Sequence, residues 1–191
     1  MQKPDTKQRI LEQTAALFYA EGFNNTGMEK ITEVCGIRKP ALYYHFGSKN
    51  ELGLAYLEYK SAGLFAMLGT LIARSESFTE YLTAWANAYI VLARRGEFFG
   101  CAFTAFASEL DAEERKFFSA RLRKIEADWL ALQERAITKF HPESKAAKTV
   151  AQQILIAHTG CVMLFRAARD TRYLKQMKSA FAEIARSVSK L

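Results

Sequence analysis

Between Glu33 and Glu51 the chain has no acidic residue, while Arg38, Lys39 and Lys49 place three cations around an unbroken run of rings, Tyr43, Tyr44, His45 and Phe46. Cations and tyrosine hydroxyls meet phosphate oxygens, and flat rings meet sugars and the thymine methyl. The chemistry open to this stretch is therefore contact with a nucleic-acid backbone and groove. A helix buries one face only. At about 100° per residue Leu42 and Phe46 share a face with His45 at its margin, and Pro40 and Tyr44 fall opposite, flanked by Ala41 and Tyr43. Burial of all four rings together is excluded by that geometry, and His45 is left open, either on the groove side or packed against the first helix.

Positioning these side chains takes a short helix held by others. Small polar residues with Glu or Gln three positions on, a pattern that satisfies the free amides of a helix start, occur at Asp5/Gln8, Thr26/Glu29, Ser48/Glu51, Ser77/Glu80 and Asp111/Glu114. They predict helices over about 6–20, 27–34, 39–46, 48–73, 78–95, 101–110, 112–139, 143–169 and 171–189, with Pro142 opening the eighth. Gly22, Gly36 and Gly47 follow the first three as left-handed stops. Two short helices separated by "CGIR" have the proportions of a helix-turn-helix, whose second helix enters the major groove. Arg38, at the start of that second helix, cannot cap it.

With only 3 Pro and 10 Gly in 191 residues, of which 50% are hydrophobic, the chain reads as all-α with a substantial core. A net charge of +7 suits an anionic partner. No apolar run approaches the ~18 to 20 residues of a membrane span and no export leader opens the chain, so a cytoplasmic location away from membranes is expected. HExxH, GxSxG, P-loop and GxGxxG motifs are all missing, and His45, His141 and His158 do not cluster with a nucleophile or carboxylate. An enzyme is thus not expected, nor a cofactor or metal. Three widely spaced cysteines, Cys35, Cys101 and Cys161, suggest free thiols. His158 and Cys161 share a helix face but lack further ligands nearby, which favours packing over metal binding.

The run "TGMEKITEVCGIRKPALYYHFGSKNEL", residues 26–52, resembles the DNA-binding signature of TetR-family transcriptional regulators, matching it at Thr26, Ile31, Gly36, Leu42, Tyr43, His45, Phe46, Ser48, Lys49 and Leu52. It departs at Thr32, Cys35 and Arg38. The resemblance implies an N-terminal three-helix DNA-binding domain with a helix-turn-helix, residues 1–49, and a helical ligand-binding and dimerisation domain, residues 50–191, about nine helices in all. It implies backbone contacts from Thr26, Tyr43, Tyr44 and Lys49, and base contacts mainly from Lys39, Pro40 and Ala41, with Tyr44 or His45. Arg38 could reach phosphate in place of capping. The partners implied are double-stranded operator DNA, a small-molecule effector of unknown identity and a second copy of the chain. The function implied is a ligand-released dimeric repressor on a palindromic operator.

Leu174, Met177, Phe181, Ile184 and Val188 recur at alternating three- and four-residue spacing, a seam for another helix. By resemblance, this helix and the eighth, with Ile154 and Leu164, would pair with their copies across a two-fold axis; the alternative is closure of the chain's own core. Candidate pocket residues are Phe65, Met67, Trp85, Tyr89, Cys101, Phe103, Phe106, Trp129, His158, Cys161 and Phe165, a mostly apolar set with a few polar groups, any of which could instead be plain core. "EFFGCAFTAFASEL" is similar to a segment of a TetR subgroup with electrophile-responsive members. Cys101, near a helix start with Arg94 and Arg95 close in sequence, is either a thiol sensor or a small packed thiol. A helical small-molecule carrier without DNA affinity is the reading outside this class.

Overall fold

The computed structural model describes residues 6–188, and among the described residues it holds nine α-helices and no strand. They are α1 Thr6–Glu21, α2 Met28–Cys35, α3 Lys39–Phe46, α4 Lys49–Arg74, α5 Phe78–Arg94, α6 Ala102–Glu109, α7 Ala112–Phe140, α8 Ala147–Ala168 and α9 Arg172–Val188. Three of the capping signals act as expected. The Glu51 amide donates to Ser48 Oγ at 3.1 Å and the Glu80 amide to Ser77 Oγ at 3.1 Å. Asp111 and Glu114 form the full reciprocal box, at 2.8 and 3.1 Å. Asp5 lies outside the described residues.

Two expectations about helix starts are corrected. Gly27 rather than Thr26 holds the N-cap position of α2, with no side-chain cap, and the buried Thr26 hydroxyl donates to Gly22 O at 2.7 Å instead. α8 begins at Ala147, five residues past Pro142. The proline ends α7 rather than opening α8, because the residue before a proline is steered away from helical backbone. A polar turn follows, with the Ser144 amide donating to His141 O at 3.1 Å and Ser144 Oγ accepting from the Ala146 amide at 3.3 Å.

The chain forms two compact units. The first comprises the described residues up to Ala62 together with Ala102–Arg123, wider than residues 1–49; the second comprises Gly63–Cys101 and the residues from Lys124 onward. In the first unit, Phe23 from the α1–α2 loop drives the packing: its ring lies 5.1 Å from Phe18, 4.6 Å from Phe106 and 5.6 Å from Phe118. Gly53 on α4 makes room for them, since a Cβ there would sit 2.9 Å from Phe118 Cζ and 3.0 Å from Phe23 Cε2. This pulls α6 and the first half of α7 into the same body as α1–α3.

In the second unit α9 packs against α5 and α8. Leu174, Met177, Phe181 and Val188 are buried in this unit's own core with Ile154 of α8, so the expected intersubunit seam faces inward and these five residues are unavailable to a second copy. Ile184 is partly buried against the same core, and Leu164 is half exposed. α8 also amends the membrane expectation. With 22 residues and a window of mean hydropathy 1.2, it is long and apolar enough to cross a membrane by length and composition. Here Val150, Ala151, Ile154, His158, Val162 and Phe165 turn that apolar character into the core.

Candidate nucleic-acid interface

The turn between α2 and α3 is set by Gly36, at φ 60° and ψ 38°, a left-handed conformation that glycine adopts without penalty. Its amide donates to Glu33 O at 3.1 Å and the Ile37 amide to Thr32 O at 3.0 Å, which closes the end of α2. Arg9 on α1 donates from Nη1 to Cys35 O at 2.8 Å and ties the turn to the first helix. Ile31 and Cys35 of α2, and Leu42 and Phe46 of α3, are buried. Burial pushes the Cys35 thiol up, against weaker opposing effects of Thr14 and Arg9.

On its outer side α3 presents Arg38, Lys39, Pro40, Tyr43 and Tyr44 to solvent, with Tyr44 86% exposed. Ala41 and His45 are half-buried. The His45 ring stands between Tyr44, at 5.3 Å, and Phe46, at 6.5 Å, so it bridges the outer and inner faces. Arg38 has extended backbone at φ −89° and caps nothing with its side chain, as its type dictates; Pro40 sits in the first turn, where its missing N–H leaves no bond broken.

Two expected phosphate-binding residues are placed otherwise. Thr26 is fully buried and its hydroxyl is committed to Gly22 O, which removes it from the surface. Lys49 is half-buried, with Nζ 4.5 Å from the Phe23 ring centre; burial lowers its pKa, opposed by the charges of Glu114 and Glu109.

Two further contacts escaped the sequence pattern. Lys39 Nζ donates to Glu29 Oε1 at 2.7 Å, a bond that raises the lysine's pKa and lowers the carboxylate's. Lys7 of α1 lies 5.5 Å above the Phe46 ring. Separations of ten residues and more give neither contact a local signature.

Of the pocket candidates, Trp85, Tyr89, Trp129, His158 and Phe165 come together in the core of the second unit, with Phe65, Met67, Cys101 and Cys161 packed against it. Phe103 and Phe106 do not join them: both belong to the first unit, where Phe106 is 5.8 Å from Tyr56 and 4.9 Å from Phe118. Phe181, expected at a subunit seam, lies 5.1 Å from Trp85 instead. Tyr81 and Gln133, unforeseen, join through a 2.9 Å hydrogen bond. His158 stacks on Trp85 at 5.2 Å, its Nε2 is 3.4 Å from Tyr89 Oη, and burial drives its pKa down to about 4. Cys101 is partly exposed immediately before α6, and burial pushes the Cys161 thiol up. Among the described residues no three His, Cys, Asp or Glu side chains converge as metal ligands would.

A glycine turn between two short helices, the second with cations and tyrosines outward and its apolar face held down, defines a helix-turn-helix DNA-binding protein. Residues 10–56 match the model of the bacterial regulatory proteins, tetR family. An uncharacterized HTH-type transcriptional regulator encoded in the lacX 3' region of Lactococcus lactis subsp. lactis is 25% identical, over 94% of this chain and 95% of its own. A TetR-family regulator from Streptomyces coelicolor has the same fold, with a TM-score of 0.84 at 21% identity over 98% of this chain and 92% of that one. The TetR family regulator CifR, solved as a cysteine mutant with 26 bp double-strand operator DNA, aligns with a TM-score of 0.81 at 16% identity over 95% and 97%. Residues 10–56 thus carry the DNA-binding region shared by the tetR-family bacterial regulatory proteins, and the chain has the fold of TetR-family transcriptional regulators.

Proposed function

We propose that the protein is a cytoplasmic, homodimeric repressor that reads a near-palindromic operator with one α3 per half-site and is released by a small-molecule effector. The observation that carries the reading is the outer face of α3, where Lys39, Pro40, Tyr43 and an 86% exposed Tyr44 stand over a buried Leu42 and Phe46. Residues 1–49 hold the reader, and effector and dimer functions lie in 50–191. With most of the α9 seam buried, the surface offered to a second copy is the outer stripe of α8, where Ile156 is 72% exposed, Leu164 50% exposed, and Gly160 lies between them. Spacings of four residues align these on one face, and a glycine allows close helix approach.

Release follows from linkage. Half-sites repeat at about one DNA turn, ~34 Å, so an effector that binds better to a state with the two α3 helices differently spaced lowers operator affinity. α4 is one uninterrupted helix, Lys49–Arg74, whose first turn belongs to the first unit and whose last turns belong to the second.

Binding of the purified chain to DNA from its own promoter should weaken as salt rises, and the double variant Tyr44→Ala, Lys39→Ala should lose the greater part of its affinity with a shallower salt dependence. Unchanged affinity in that variant refutes the recognition face. A thiol-signalling version of the same reading would run through Cys101; effector release that survives Cys101→Ser removes it.

A further inference from the structure

Among the described residues of the second unit, three buried side-chain polar atoms have no hydrogen-bond partner: Trp85 Nε1, Gln133 Nε2 and His158 Nδ1. Their residues are 0, 0 and 4% exposed. Buried polar atoms are almost always paired, so a group of them inside one ring cluster calls for a missing component. The three belong together. Tyr81 donates to Gln133 Oε1 at 2.9 Å, which orients the amide and leaves its NH2 unmet, and the Tyr81 ring stacks on Trp85 at 6.2 Å. Trp85 in turn stacks on His158 at 5.2 Å, and Trp129 closes the group at 5.6 Å from Trp85 and 5.7 Å from His158.

Indole N–H and amide NH2 are donors only, so the missing component must accept. The imidazole Nδ1 adds a donor or an acceptor according to the ring's tautomer. Among the described residues no Lys, Arg, Asp or Glu is buried, so a charged guest held between these rings would lack a buried counter-ion. The walls are flat: two indoles, two phenols and an imidazole, which favour a planar partner.

From this we infer that the second unit binds an uncharged, planar aromatic compound bearing a carbonyl-type acceptor, hydrogen-bonded to Trp85 Nε1 and Gln133 Nε2. The inference rests on the effector reading above and gives that effector a chemical class.

Trp85 and Trp129 are the only two tryptophans of the chain, so all its indole fluorescence reports on this cluster. The probes are 9-fluorenone, fluorene, which keeps the shape without the acceptor, and fluorene-2-carboxylate, which adds a charge. Fluorenone should quench the full-length protein with at least tenfold higher affinity than either of the others. Gln133→Leu should reduce that preference about tenfold while leaving fluorene affinity in place. Trp85→Phe, read through Trp129, serves the same purpose should the leucine variant not fold. Equal affinity for fluorenone and fluorene, or a preference that survives both substitutions, overturns the inference and assigns the unmet atoms to ordered water. DNA release is scored separately. Fluorenone binding that leaves the operator complex intact supports the site and fails the effector reading, whereas release by a compound that leaves tryptophan emission unchanged overturns the site as the effector's.

Discussion

His158 gives the sharpest quantitative prediction. Its ring is enclosed by Trp85, Trp129 and Tyr89, and desolvation is the cause that moves its pKa from 6.5 to about 4. The unfolded chain takes a proton near pH 6.5 that the folded chain refuses until about pH 4. Stability present above pH 6.5 is therefore lost as pH falls through this window and is level below it. At ~1.36 kcal/mol per pH unit the full loss is about 3 kcal/mol, large beside a typical total stability of about 5–15 kcal/mol.

The perturbation is His158→Phe, which keeps an aromatic ring and removes the titration. Urea unfolding followed by far-UV circular dichroism at pH 7.5 and pH 4.5, at one protein concentration, gives the free energy of each form at each pH. The carboxylates that begin to titrate near pH 5 are common to both proteins and cancel in the comparison. Wild type should lose about 2–3 kcal/mol more than the phenylalanine variant between the two pH values. Parallel losses would show that the folded protein accepts the proton at its ordinary pKa, and would refute both the enclosed environment of the imidazole and its neutral state in the inferred site.

Gly53→Ala should destabilise the chain by about 1–3 kcal/mol in the same denaturation assay, because the new Cβ would meet the Phe118 and Phe23 rings at 2.9 and 3.0 Å and both rings are held in a packed cluster. Ile156→Glu with Leu164→Glu, on the outer stripe of α8, should leave thermal stability of the monomer near that of wild type and lower the mass in light scattering from dimer to monomer; an unchanged mass refutes that stripe as the interface. Lys49→Met should weaken operator binding less than Lys39→Ala does in a fluorescence-anisotropy titration, since the Lys49 ammonium is turned over the Phe23 ring.

The recognition segment was legible because two periodic constraints overlap there. Helical spacing placed Leu42 and Phe46 on one side, the glycines bounded the helix, and both residues are buried. Capping signals located α4, α5 and α7 because in each the polar residue sits directly before the helix. Thr26 misled because the spacing to Glu29 is right while Gly27 holds the N-cap position, and each side chain found a different partner, Gly22 O and Lys39. The α9 stripe was equally visible, yet a three–four alternation states only that one face is apolar. The partner that covers most of it, α5 and α8 of the same chain, is a property of the tertiary fold. Phe106 escaped for a related reason: Phe23, from a loop far away in sequence, draws it into the first unit.

Glu29 qualifies the charge pattern on which the nucleic-acid reading began. The stretch from Glu33 to Glu51 is free of acids in the linear chain, but α2 folds back so that Glu29 meets the first residue of α3 at 2.7 Å. A phosphate that binds Lys39 must therefore displace a carboxylate rather than only release counter-ions, which reduces the gain from contacts that are electrostatic alone. Exposed ion pairs are weak and screened by salt, so the exchange is open to a DNA site that also meets Pro40, Tyr43 and Tyr44. Among the described residues no carboxylate is bonded to Arg38, which also has no capping role, so a phosphate brought to the start of α3 would meet that cation without such competition. If α3 reads DNA as proposed, a residue that departs from the family pattern is thereby a cation open to phosphate.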